Sequence, residues 1–181
     1  MKKQVFSFLF CFLVFAALVF SAFAQEAPLG ALSPTPTIEY QLPYPGLLPD
    51  SPLYFLKTFR DRLMSYLIAD PQKKAEFDLL QADKRLTAGV ALAHKNSYPL
   101  ATSTISKGEN YFFDAVVNAQ AAKKQGIAIS SLRQKLLLAS LKHQEVLTML
   151  SNQAPKQQKA SFETLQKRLQ EISTQINNLP K

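Results

Sequence analysis

The apolar positions of this chain change period twice. Val5 to Phe20 is an unbroken run of apolar and small residues. Between Pro28 and Pro52 no period holds. From residue 52 onward, apolar side chains return every three or four positions, the period of a helix with one buried face. The pattern predicts five helices, at about 52–68, 71–95, 98–124, 131–152 and 156–179. Helix one carries Leu53, Leu56, Phe59, Leu63 and Leu67 on one stripe. The seams of helices two and three are built largely from Ala and Gly, including Ala75, Ala82, Gly89, Gly108, Ala115 and Ala119. Those of helices four and five carry Leu, Ile and Phe, including Leu132, Leu136, Phe162, Leu169 and Ile176.

Four seams keep heptad-like spacing for three turns or more, the pattern of bundle packing. At 1.5 Å per residue these four helices are roughly 33 to 40 Å long, and short connections make neighbours antiparallel. The expected fold is all-α: an antiparallel (up-down) four-helix bundle of long helices plus a shorter N-terminal packing helix. Helix two has a second apolar side, with Phe77, Leu80, Ala88 and Ala91. That side is expected to take helix one; the alternative is an exposed patch that binds a partner. Ser51-Pro52 and Asp70-Pro71 read as N-caps followed by Pro. Ser130 or Ser131 would cap helix four, Pro155 would open helix five, and Gly126 would close helix three.

The ends of the chain add an address. Lys2 and Lys3 precede the apolar run, and Ser21-Ala22-Phe23-Ala24 follows it, with small residues where a signal peptidase reads them. Residues 1–24 are read as a signal peptide cut between Ala24 and Gln25. The alternative is an uncleaved anchor, because residues 5–24 are long enough to span a bilayer. Either way the remainder is exported, to be periplasmic, cell-surface or secreted. The single cysteine, Cys11, leaves with the leader, and with it any disulfide or thiolate chemistry. Residues 25–51 are read as a disordered Pro-rich linker, since seven of the eleven prolines lie between Pro28 and Pro52. The helical domain is 52–181.

Charge narrows the partners. The formal net charge is +8, and without the leader 19 Lys+Arg face 13 Asp+Glu. A basic exported protein suits an anionic membrane, a wall polymer or an acidic envelope protein; ordinary solubility accounts for the same charge. The basic residues are spread, without the clustering of a nucleic-acid face.

No catalytic, cofactor or metal constellation stands out. There is no phosphate loop, dinucleotide fingerprint or Gly-x-Ser-x-Gly elbow. His143 falls in the seam of helix four, where a core histidine with one hydrogen bond is expected ahead of a metal ligand. His94 suits a helix C-terminus. Arg60 interrupts the stripe of helix one; it either pairs with a carboxylate of helix two or recognises a partner. Arg60, Phe77 and Leu80 are therefore the candidate interaction residues. The function expected is a non-catalytic interaction or scaffold module of the cell envelope. The alternatives are an extracytoplasmic chaperone or stress sensor, and a metal- or haem-binding bundle. The partner and the oligomeric state stay open.

The run Leu48-Pro49-Asp50-Ser51-Pro52-Leu53-Tyr54-Phe55-Leu56-Lys57 resembles the opening of a bacterial domain-of-unknown-function family, DUF5667. Asp70-Pro71, Lys74-Ala75-Glu76 and Lys84-Arg85-Leu86 continue the resemblance, which extends over about 47–150. Asp61-Arg62 stands where the family has Glu-Arg, and Thr87-Ala88-Gly89 follows where the family often has Glu. The resemblance implies an exported or tethered helical domain and brings no activity. It marks Ser51, Tyr54, Lys57, Lys74 and Arg85 as family-pattern residues. Physically, they read as a helix start and a polar clamp where helices one and two meet.

Overall fold

A computed structural model describes residues 38–180. Residues 1–37, including the leader, the Ala24–Gln25 position and the first part of the linker, lie outside the described residues. The regular structure is α1 (Tyr54–Leu67), α2 (Pro71–His94), α3 (Tyr98–Lys124), α4 (Ser130–Gln153) and α5 (Lys159–Asn177), with a single 3-10 turn at Lys156–Gln158. No strand occurs among the described residues. The protein is all-helical, as its apolar period predicts.

The seams of the long helices become the core. Leu79, Leu86 and Leu92 of α2 lie buried with Ile105 and Phe112 of α3, Leu136 and Leu150 of α4, and Phe162, Leu169 and Ile176 of α5. The most extensive pairing is α2 with α3; α4 pairs with α5, α3 with α5, and α2 with α4. The α2–α3 contact is close because its seam is small. A Cβ on Gly89 would fall 2.3 Å from Ile105 Cγ1, and one on Gly108 would fall 3.2 Å from the Ala82 carbonyl oxygen.

Local chemistry sets the helix ends. Asp70 Oδ1 accepts the Lys73 N–H at 2.9 Å, with Pro71 as the first helical residue. Asn96, at φ 59°, and Gly126, at φ 80°, turn the chain after α2 and α3. Two expected starts move. α1 begins at Tyr54 because Pro52 and Leu53 form a turn, in which the Ser51 carbonyl accepts the Tyr54 N–H at 3.1 Å. Neither Ser130 nor Ser131 caps α4; the preceding Ile129 is buried instead, and burial decides that end.

Residues from Ile38 onward form a compact unit of their own. The second half of the Pro-rich segment is part of it, so a disordered linker does not extend to residue 51. Tyr40 and Leu42 pack against the core. The Ile38 N–H donates to Glu145 Oε2 at 3.4 Å, and Lys95 pairs with Asp50 at 2.7 Å.

The orientation of α1 overturns the sequence expectation. Its apolar stripe does not pack on α2. Leu53, Leu56, Phe59, Leu63 and Leu67 are all at least half exposed, and the one buried residue of the helix is Asp61. The cause lies on the opposite stripe, where Tyr54, Lys57, Asp61 and Ser65 form a polar face that finds polar partners below it.

Candidate docking surface and buried polar clusters

The polar face of α1 is hydrogen-bonded at its start and at its end. At its start, Lys57 Nζ donates to the carbonyls of Pro45, at 2.5 Å, and Leu47, at 3.3 Å, and lies 5.6 Å from the centre of the Tyr54 ring. Burial pushes the Lys57 ammonium below its usual pKa and the Tyr54 phenol above its own. At its end, Lys74 of α2 donates to the Ser65 carbonyl at 3.0 Å, supplying a cation where the helix dipole is negative. Midway, Asp61 and Arg85 are both buried, and both act electrostatically on Lys57. Arg85 donates to Gln81 Oε1 at 3.0 Å and stacks 4.2 Å above the Tyr111 ring of α3. Asp61 Oδ2 and Arg85 Nε have no hydrogen-bond partner among the described residues. Among the family-pattern residues, Lys57 and Lys74 donate to backbone carbonyls at the two ends of this face, and Ser51 accepts the Tyr54 N–H on its carbonyl and the Leu53 N–H, at 3.4 Å, on Oγ.

Arg60 does not reach a carboxylate of α2. It pairs with Asp61 of its own helix at 2.8 Å while its side chain stays 65% exposed. Phe77 is half-buried and Leu80 is 40% exposed. Together the clamp and the turned helix present an apolar face outward. Eight of the fourteen exposed large hydrophobics among the described residues lie between Leu53 and Leu67. A cleft of about 680 Å³ runs between α1 and α3, walled by Phe55, Phe59, Arg62, Lys107 and Tyr111, with Arg85 at its base. A larger groove of about 850 Å³ between α4 and α5 is lined mainly by amides and hydroxyls such as Gln144, Gln166 and Ser173, away from the family-pattern residues.

Two further polar clusters lie inside the protein. Tyr40 donates to Asp83 Oδ2 at 2.6 Å, and His143 Nε2 lies 2.9 Å from Asp83 Oδ1. Burial first, then the Asp83 carboxylate, hold the Tyr40 phenol far above its ordinary pKa. The His143 ring tilts against Phe112 with centroids 4.8 Å apart. Its hydrogen bond goes to this one carboxylate, and among the described residues no group of three His, Cys, Asp or Glu is placed to hold a metal ion. The second cluster is Glu109 of α3, which is 1% exposed and has neither oxygen hydrogen-bonded. Desolvation raises its pKa to about 8, against a lowering pull from Arg168 of α5, whose Nε is 4.0 Å away. Arg168 donates instead to Asn110 Oδ1.

Sequence reasoning missed Asp61, Asp78, Asp83 and Glu109 as buried acids; Asp78 accepts from Asn118 at 2.8 Å. A signal existed for Glu109, which sits in register with Ile105, Phe112 and Val116 along an apolar stripe. Asp83 likewise follows Leu79 by four positions and precedes Leu86 by three.

The class defined here is a small all-helical domain whose first helix is clamped by its polar side and bares its apolar side. Residues 46–157, more than half of the chain, match the profile of the domain of unknown function DUF5667, and the chain belongs to that family. No curated protein and no solved structure matches it. Among the described residues no helix is long and apolar enough to cross a membrane.

Proposed function

We propose that this is an exported, non-catalytic docking module of the cell envelope, and that the outer face of α1 is its docking surface. The observation that carries the reading is the inversion of α1: a buried aspartate beneath, and Phe59 at 69% exposure above. Burying Asp61 beneath an exposed Phe59 costs stability in a free domain, so an arrangement kept this way points to a function for the bared face. The leader, the cleavage at Ala24 and the export of the domain belong to the same reading. So does an antiparallel four-helix bundle made by α2 to α5. It is supported by descending register between α2 and α3, where Asp78 meets Asn118 and Gly89 meets Ala101.

A photo-crosslinking residue at Phe59, in intact envelopes, tests the assignment against the same residue at Leu141, which is 53% exposed on α4. Crosslinks from position 59 alone support it; no crosslink from 59, or equal yield from 141, ends it. A second reading, the holding of unfolded clients, is favoured by the exposure of Leu80 alongside α1. Suppression of the aggregation of a heat-unfolded client, lost on Leu80→Ser, would support that reading.

A further inference from the structure

The chemistry of the α1 face identifies what it docks on. We infer that α1 lies in the surface of an anionic lipid bilayer, with its outer face in the boundary between headgroups and acyl chains. The inference rests on the docking reading above and names its partner.

The first argument is the arrangement of side chains around the helix. At about 100° per residue, Phe59 and Leu63 lie about 160° from the buried Asp61, and Phe55, Leu56, Tyr66 and Leu67 fill the same outer arc. Arg60 and Arg62 then stand about 100° from Asp61, one on each flank of that arc. Both arginines are exposed. An apolar face bracketed by two long cations suits the headgroup plane, where each guanidinium meets phosphate while its stem lies along the acyl boundary.

The second argument is sign. Asp61 is the only acid of α1, and it is buried and paired with Arg60. The outer face therefore shows cations and no carboxylate. Across the cleft α3 sets one charge of each sign, Lys107 and Asp114, so the excess of cations comes from α1 itself. A second copy of the chain would bring the same two arginines against these, at a cost that an anionic surface reverses.

The chain contains no tryptophan, so one introduced at α1 reports alone. The test uses residues 25–181, which keep the whole compact unit that begins at Ile38 and lack the apolar run. Phe59→Trp and, on α4, Leu141→Trp are titrated with vesicles of phosphatidylcholine alone and with 30% phosphatidylglycerol. The expected result is a blue shift of the position-59 emission on anionic vesicles, reversed by salt, and none at position 141. Arg60→Gln with Arg62→Gln should weaken binding about thirtyfold. Leu56→Ser with Leu63→Ser should abolish it without lowering the unfolding midpoint, because both side chains are already exposed. A blue shift without vesicles, together with a dimer in sedimentation, overturns the inference in favour of a second copy. No shift on either vesicle, while position 59 still crosslinks a protein in envelopes, overturns the lipid partner and leaves the docking surface standing. No response in either assay removes both.

Discussion

Replacing Glu109 by Gln isolates the cost of keeping an acid in this core. In the folded protein its pKa is raised to about 8 from an ordinary 4.5, chiefly by desolvation. Folding therefore takes up a proton at this site between those two values. The stability contributed by the neutral form is fully present below about pH 4.5 and is lost as pH rises through about 8. At 1.36 kcal/mol per unit, the wild type should lose roughly 2–4 kcal/mol relative to E109Q between pH 5 and pH 8. The lower figure applies if Arg168, 4.0 Å away, swings fully onto the carboxylate as it ionises. Gln has nearly the same shape and no charge, so the two proteins should be about equal near pH 5. Urea unfolding followed by far-ultraviolet circular dichroism at pH 5, 6, 7 and 8 measures the difference. Asp78, whose pKa burial raises to about 6, titrates in both proteins and cancels. A gap that stays constant over this range, or one in which the wild type gains as pH rises, would refute the reasoning.

Tyr40→Phe removes the 2.6 Å bond to Asp83 and should cost about 1–3 kcal/mol in urea unfolding, with faster proteolysis within residues 38–50. Lys57→Ala frees the Pro45 and Leu47 carbonyls, and amide exchange within Tyr54–Leu67 should quicken about tenfold. The global unfolding midpoint should barely move, because α1 buries no apolar residue. Gly89→Val puts methyl groups beyond a Cβ that would already lie 2.3 Å from Ile105. Overpacking of about 1–3 kcal/mol should lower the urea midpoint.

The long helices were legible because their seams obey one rule throughout: apolar inside, at helical spacing. Their ends were read where a side chain dominates, as at Asp70, and misread where a neighbour's burial dominates, as at Ile129. Tyr54, Lys57, Lys74 and Arg85 were marked by the family resemblance and not by their spacing. The direction in which α1 faces was not legible. The helix has two coherent stripes, and hydrophobicity alone picks the wrong one as inner. Deciding between them needs Arg85, Gln81 and Tyr111, which come from α2 and α3 and appear as partners only once those helices are packed. Asp83 and His143 sit sixty positions apart, so their pairing carries no local signal.

Tyr40 also decides how this protein would carry mechanical load. A pull arriving from the N-terminal side meets Ile38 and Tyr40 before it meets α1. Those two residues would hand it to Glu145 of α4 and Asp83 of α2, so tension would enter the core through two of the long helices. α1 sits beyond that junction in the chain, behind the packed Leu42 and the Asp50–Lys95 pair. The first helix would keep its posture until the Tyr40 bond breaks, and only then would the clamp at Lys57 feel strain.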